Sequence, residues 1–332
     1  MKRVWLAPTI VCILAIFLTS GTAAASYPGR NGRIAFDSLD GYIWSVKPDG
    51  TNSLRLALGE DPNYSPDGKR IAFVRGNTDL WLMSANGSNK VQLTSHVNRE
   101  YHPTWSADGR FLYFLSNRGG RDDIFRVRSS PPYGKAQPIL RASSLDVPTE
   151  CEGQPEVEFT WITDITMSPL GDYLALSLHR QILGHSGPCL HNPIESWVRA
   201  NVDGSGAVEF ANQMMCLNWG PGGTSLAGLH VNDWNWFGGA TIRTFRSDGS
   251  GQKVAYTQPP ERDARTGCPA WSPNGGKHLI FSREEYVPNS DPEPDNVLVV
   301  SGVFRTLSNG TGAVVQITSR RAGNVDWQPI LT

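Results

Sequence analysis

Four polar residues occupy one repeated position of the sequence. Each lies three residues before the residue that marks a repeat, and they are Asp61, His102, Asp164 and Asn324. Calcium prefers carboxylate oxygens and imidazole suits transition metals, so Asp61, His102 and Asp164 are candidate ligands for calcium or another divalent metal. All four are candidates for binding a polar ligand. The alternative, which we favour, is a hydrated channel lined by polar side chains.

A second candidate site is aromatic. Trp234, Trp236 and Phe237 follow one another closely in a segment that otherwise reads as a loop. Such side chains stack on sugar rings or anchor a protein partner, although they can equally cover the strands beside them. The segment nearest to a serine-hydrolase nucleophile turn, Gly184-His185-Ser186-Gly187, continues into Pro188 and does not complete the motif. No catalytic residue is therefore assigned.

Four cysteines follow the N-terminal segment: Cys151, Cys189, Cys216 and Cys268. An even number without a Cys-x-x-Cys pair favours disulfides over zinc in an exported protein. Four cysteines allow three connectivities. We prefer Cys151 with Cys189, in neighbouring loops, and Cys216 with Cys268, at equivalent positions of neighbouring repeats.

The element that sets these positions is a recurring turn, represented by residues 64–73, Tyr-Ser-Pro-Asp-Gly-Lys-Arg-Ile-Ala-Phe. Proline fixes φ and glycine accepts a positive φ, so the segment closes a hairpin between two short strands. Six residues mark its occurrences: Tyr64, Trp105, Met167, Trp219, Trp271 and Trp327. Their spacing is near or above the roughly 40–50 residues of a four-stranded propeller blade.

Each marker is followed by further β-rich runs and turn dipeptides such as Asn86-Gly87, and no sustained 3.6-residue apolar period appears. The sequence therefore predicts an all-β fold, a six-bladed β-propeller with four antiparallel strands per blade. The N-terminal blade lacks a first strand, and residues 324–327 near the C-terminus supply one. Pairing the two would close the ring and remove its open sheet edges.

The Trp-Ser-Pro-Asp-Gly turn and the Ile-Ala-Phe strand of these repeats resemble those of the TolB-type β-propeller family, over residues 31–329. The resemblance implies the propeller fold. The α/β domain that precedes the propeller in TolB itself has no counterpart here. The role of TolB in an envelope complex is therefore not carried over, since a fold does not by itself imply a function.

The N-terminus predicts export. Met1-Lys2-Arg3 precedes an apolar run at 10–18, too short for the roughly 20 residues that span a bilayer, and Ala23-Ala24-Ala25 offers a cleavage point. We expect residues 1–25 to be a signal peptide and 26–332 the propeller, secreted or located in the periplasm or cell envelope. The 30 basic and 31 acidic residues nearly balance, which argues against a nucleic-acid partner. No transmembrane segment is expected in the mature chain.

The long insertions fall on one predicted face, in the loops between second and third strands and in the links between blades: 142–160, 179–195, 230–239, 258–266 and 284–296. Binding residues collect on loops held by a rigid scaffold. We therefore expect a non-catalytic binding module or scaffold that presents this face to a cell-envelope or extracellular protein or glycan, without a cofactor. The alternative is a metal-assisted lyase or lactonase with its site at the channel mouth.

Overall fold

The computed structural model describes residues 29–76, 78–151, 154–182, 194–212, 214–230, 240–259, 263–287 and 297–331. These residues form six antiparallel sheets, the six blades of a β-propeller. Two short 3₁₀ helices, Asn117–Gly119 and Ala142–Leu145, lie between strands. The predicted all-β, six-bladed fold is confirmed.

The strands of the first three blades begin with those of the N-terminal blade, which we number blade 1. They are β1 (Arg30–Asp37), β2 (Tyr42–Val46), β3 (Leu54–Leu58), β4 (Glu60–Tyr64), β5 (Arg70–Arg75), β6 (Asp79–Ser84), β7 (Val91–Gln92), β8 (Glu100–Trp105), β9 (Phe111–Ser116), β10 (Asp123–Arg128) and β11 (Gln137–Leu140). Blade 2 is β4 to β7, and blade 3 is β8 to β11.

The remaining strands form blades 4 to 6 and return to blade 1. They are β12 (Val147–Cys151), β13 (Gln154–Met167), β14 (Tyr173–Ile182), β15 (Ile194–Asn201), β16 (Val208–Asn212), β17 (Met214–Trp219), β18 (Ser225–His230), β19 (Thr241–Arg246), β20 (Lys253–Thr257), β21 (Asp263–Thr266), β22 (Ala270–Trp271), β23 (His278–Val287), β24 (Val297–Leu307), β25 (Val315–Thr318) and β26 (Val325–Ile330).

The C-terminal strand closes the ring as predicted. β26 pairs antiparallel with β1, with Trp327 opposite Ile34, so blade 1 has the strand order β26-β1-β2-β3. The side-chain amide of Gln328 also donates to the carbonyl oxygen of Gly68 in blade 2, at 2.7 Å. The last strand therefore joins the first two blades.

Two blades contain more than the four strands that the sequence predicts. The segment 142–160, expected to be a loop, contains a 3₁₀ helix, β12 and the start of β13, which pair as a hairpin. The length of this segment suggested a loop. Pairing as two strands gives its backbone N–H and C=O groups the hydrogen-bond partners that an open loop would lack.

In blade 6 the inner strand is divided into β21 and β22, and both pair with β23. Part of 258–266 is therefore strand, as is the beginning of 284–296.

The core lies between neighbouring blades. The second strand of a blade is buried on both faces, so Ile71, Ala72 and Phe73 are all fully buried. Two of the marker tryptophans link neighbouring blades. The indole N–H of Trp105 donates to the carbonyl oxygen of Asn63 in the preceding blade at 3.0 Å. Trp271 makes the same bond to Asn218 at 3.0 Å. These bonds join blade 3 to blade 2 and blade 6 to blade 5.

Candidate functional site at the channel mouth

The predicted polar residues lie at irregularities of the inner strands. Pairing with the adjacent strand shifts register between Glu60 and Asn63 in blade 2, and between Tyr101 and Thr104 in blade 3. At these points Asp61 has φ of 53° and His102 has φ of 49°, a left-handed conformation uncommon outside glycine. A β-bulge of this kind re-aims a side chain and ends local pairing. The side chains of Asp61 and His102 therefore do not follow the regular alternation of side chains along their strands.

A proline follows each of these two bulge residues. Pro62 comes after Asp61 and Pro103 after His102. Proline has no N–H to give to a strand ladder and is tolerated within a sheet at bulges. A proline two residues before a marker aromatic is therefore a sequence signal for the bulge, which our sequence analysis did not use.

The equivalent positions of all six inner strands converge on one cavity at the axis. The six residues are Asp61, His102, Asp164, Cys216, Cys268 and Asn324. The cavity volume is about 100 Å³. Because a water in the liquid takes about 30 Å³ and small-molecule pockets measure roughly 300–1,000 Å³, the channel has room for a few waters, an ion or one small group. A whole sugar ring does not fit inside it.

The polar groups of this ring are bound to one another. The Nδ1 atom of His102 lies 3.3 Å from the Oδ1 atom of Asp164. The side-chain amide of Asn324 donates to Asp61, and the backbone N–H of His102 donates to the other oxygen of Asp61 at 3.4 Å. The ring is therefore two linked pairs, one acid–imidazole and one acid–amide.

A partly buried carboxylate at the end of β1 supports this arrangement. Asp37 accepts hydrogen bonds from the backbone N–H groups of Asp61 and Asn324, both at 2.9 Å. It thereby fixes two of the six ring positions, one in blade 2 and one next to β26. Asp37 lies outside the repeated position, so the repeat pattern gave no reason to select it.

Burial, helped by neighbouring acids, raises carboxyl pKa values at the mouth. Burial raises the pKa of Asp37 to about 6, and the negative charges of Asp61 and Glu60 add to this effect while the two N–H donors oppose it. Burial also raises the pKa of Asp164, against the opposing effect of His102. A raised pKa means that a carboxyl holds its proton to higher pH. The mouth consequently gains negative charge as the pH rises towards neutrality.

The metal-ligand candidates do not form a ready-made metal centre. Within the part of the chain that the structure describes, no three His, Cys, Asp or Glu side chains are grouped so that they could hold a metal ion. Asp61 is directed to Asn324, and His102 to Asp164. A metal role for Asp61, His102 and Asp164 stays a prediction, which metal analysis of the purified protein would test.

A disulfide joins two ring positions. Cys216 and Cys268 are bonded, with their Cα atoms 5.3 Å apart, and connect the inner strands of blades 5 and 6. This is the pairing expected from their equivalent repeat positions. Cys151 belongs to β12, but its side chain and all of Cys189 lie outside the described residues. The pairing of Cys151 with Cys189 therefore stays a prediction.

Two exposed apolar side chains lie on the same face of the propeller as the mouth. Leu39, in the loop between β1 and β2, is 66% exposed, and Val97, in the link between blades 2 and 3, is 94% exposed. Both segments lie on the face where the inner strands begin, which we call the mouth face. The aromatic candidates Trp234, Trp236 and Phe237 lie outside the described residues, so their role stays a prediction. Sequence analysis missed Leu39 and Val97, since single apolar residues in short loops carry no pattern.

Comparison with known proteins shows which family these repeats are similar to. Residues 55–142 match the family model described as the TolB beta propeller domain. The repeats within this range are of the TolB type. The crystal structure of TolB from Acinetobacter baumannii superposes with a TM-score of 0.64, at 14% identity, over 91% of this chain and 68% of that one. At this identity the likeness shows the fold of the TolB-type propeller and nothing further.

Curated relatives match shorter segments. The Tol-Pal system protein TolB of Anaeromyxobacter dehalogenans is 58% identical over 45 residues, which are 13% of this chain and 10% of that protein. The uncharacterized peptidase YuxL of Bacillus subtilis is 30% identical over 98 residues, 24% of this chain and 15% of YuxL. The matches thus cover a small part of these relatives. They support the TolB-type repeat and carry no activity over to this chain.

Proposed function

We propose that this protein is an exported, non-catalytic binding module whose mouth face holds a cell-envelope or extracellular partner, a protein or a glycan. The observation that carries the proposal is the combination of exposed Leu39 and Val97 with the polar ring of Asp61 and His102 on one rigid face. Apolar side chains beside oriented polar groups are the usual composition of a binding surface. None of the helices in the described ranges is long and apolar enough to cross a membrane.

The size and bonding of the channel favour binding over catalysis. With about 100 Å³ of space, the channel can admit one small group of a partner, while the rest of that partner lies across the loops of the mouth face. The side chains of His102 and Asp61 are engaged with Asp164 and Asn324. They therefore serve as fixed donors and acceptors for a partner at the rim.

A capture experiment with matched variants tests the proposal. We expect the Leu39→Ser, Val97→Ser double variant to recover less than about a tenth of the envelope partner that the wild type recovers, since fully burying a Leu or Val side chain contributes roughly 1.5–3 kcal/mol. The control is Leu170→Ser, because Leu170 is 52% exposed in the Ser168–Gly171 turn on the opposite face.

Equal recovery by the wild type and the Leu39→Ser, Val97→Ser variant would contradict the proposal. A Trp234→Ala, Trp236→Ala variant, assayed in parallel, tests whether the predicted aromatic segment takes part. Metal analysis of the same purified samples addresses the lyase or lactonase alternative. A stoichiometric metal lost on Asp61→Ala with His102→Ala would favour that alternative.

A further inference from the structure

The face opposite the mouth has an uneven distribution of charge. The turns between first and second strands and between third and fourth strands lie on this face, which we call the turn face. In blades 1 to 3, these turns and the adjoining strand ends contain nine basic residues and three acidic ones, Asp49, Asp67 and Asp108. We call these segments the basic turns, and they are residues 30–33, 47–53, 65–70, 85–90, 106–110 and 128–136.

The corresponding turns of blades 4 and 5 lack this excess. They contain three acidic residues and one basic residue, and they are residues 168–172, 201–207, 220–224 and 246–252. The residue that follows the turn glycine shows the contrast, because it is Lys69 in blade 2, Arg110 in blade 3 and Asp172 in blade 4. The positive charge therefore belongs to one half of the turn face and is not a property of the repeated turn.

Hydrogen bonds between blades join the basic turns into one surface. The guanidinium group of Arg70 in blade 2 donates to the carbonyl oxygens of Ser129 and Gly109 in blade 3, at 2.7 and 3.1 Å. The side-chain amide of Gln328 in blade 1 donates to the carbonyl oxygen of Gly68 in blade 2, at 2.7 Å. The charges of the three blades thus lie on a single patch.

The positive charge of this patch is not neutralised within it. Nine basic residues against three acidic residues leave an excess of six positive charges with every acid ionised. Among the described residues, the ion pair within the basic turns joins Arg110 to Asp108, at 3.9 Å. Lys47, Lys69 and Lys135 are exposed to solvent. Their ammonium groups are therefore accessible to an anionic partner.

The chain enters the propeller at the same patch. β1 begins at Arg30 on the turn face, where it pairs with Ile330. The apolar run at 10–18, which we expect to engage a membrane during export, is separated from residue 29 by residues 19–28. Ten residues span at most about 35 Å. The basic turns consequently lie near the membrane for as long as the leader is attached.

An anionic membrane surface suits this charge distribution. Each lysine or arginine beside acidic lipid headgroups strengthens binding by about fivefold, and the effect falls off within a Debye length. The whole sequence has 30 basic and 31 acidic residues, so the remainder of the molecule is net negative. An anionic surface therefore attracts the basic turns and repels the rest of the propeller.

We propose that the mature protein binds anionic phospholipid headgroups through the basic turns and stays at the membrane surface with its mouth face directed away from the membrane. An anionic polysaccharide would share the charge, but the connection of the leader to this face favours the lipid. The proposal goes beyond the function of the mouth face and does not depend on it.

Vesicle co-sedimentation of the exported, purified protein tests the proposal. The probes are vesicles of phosphatidylcholine alone and of phosphatidylcholine mixed with phosphatidylglycerol. We expect binding to the mixed vesicles only, at low salt, and its loss in about 1 M salt, where the Debye length is about 3 Å. Equal binding to both vesicles would overturn the proposal. Retention on immobilised polygalacturonate without binding to the mixed vesicles would overturn it in favour of a polysaccharide.

Two triple variants with the same loss of charge complete the test, Lys47→Gln, Lys69→Gln, Lys135→Gln and Arg75→Gln, Arg99→Gln, Arg141→Gln. All six residues are exposed, so their replacement leaves the core intact. The lysine variant, on the turn face, should bind the mixed vesicles at least about tenfold more weakly than the wild type. The arginine variant, on the mouth face, should bind like the wild type. Equal binding by the two variants would overturn the proposal.

Discussion

Replacing Gly68 by alanine is expected to destabilise the propeller far more than replacing Gly109 by alanine. The two glycines close equivalent turns of blades 2 and 3 and have the same φ of 67°. A Cβ atom at Gly68 would lie 1.8 Å from the carbonyl oxygen of Pro329 in β26, whereas the nearest atom at Gly109 is 3.7 Å away. Only Gly68→Ala therefore displaces the strand that closes the ring.

The two variants separate backbone strain from ring closure. Gly109→Ala should cost about 1–2 kcal/mol, the usual penalty for a left-handed alanine. Gly68→Ala should cost that amount and more than about 2 kcal/mol in addition, because a buried overlap forces strand movement. Urea unfolding midpoints of both variants and the wild type measure the difference. Equal midpoints for the two variants would show that β26 does not pack against the Gly68 turn of blade 2.

Replacing Asp326 by asparagine is expected to stabilise the protein at neutral and higher pH. Asp326 lies in β26, is only 4% exposed, and accepts a hydrogen bond of 2.6 Å from the backbone N–H of Tyr64 in blade 2. Burial raises the pKa of its carboxyl to about 7 from an ordinary value of 3.8. Asparagine retains an oxygen acceptor for Tyr64 and carries no charge.

The sign of the pH effect follows from this raised pKa. The folded protein holds a proton that the unfolded chain releases, so the contribution of Asp326 to stability is fully present below about pH 4 and is lost as the pH rises through about 7. We expect Asp326→Asn to match the wild type near pH 4 and to exceed it by about 4 kcal/mol at pH 8, since each pKa unit corresponds to about 1.4 kcal/mol.

Unfolding free energies measured between pH 4 and 8 provide the check. Asp37, whose pKa is about 6, titrates in the same direction, but it is present in both proteins and cancels in their difference. A difference that does not change with pH would contradict the assignment of a protonated Asp326 at the ring closure.

The repeat pattern was sufficient to predict the ring. Three features of the pattern have a local physical cause and can be predicted from adjacent residues. They are the Ser-Pro-Asp-Gly turns, the Ile-Ala-Phe strands and the missing first strand of blade 1. The shared position of Asp61, His102, Asp164 and Asn324 followed from counting back from each marker. The same count placed Cys216 beside Cys268.

Other features depend on residues that are distant in sequence. Asp37 contributes to the mouth because ring closure places Asn324 next to it. In blade 6, Ala322 lines the same cavity as Arg265 and Ser282. The spacing of residues in the sequence does not predict these contacts. The hairpin of β12 and β13 was missed for another reason, since its length alone was taken as evidence of a loop.

Photo-cross-linking from the mouth face tests the central claim most directly. A benzophenone amino acid placed at Val97, which is 94% exposed, should form a cross-link to one envelope partner. The same amino acid at Leu170, on the opposite face, should not. Cross-links to that partner from position 170 and none from position 97 would contradict the account, because the partner would then bind the face of short turns.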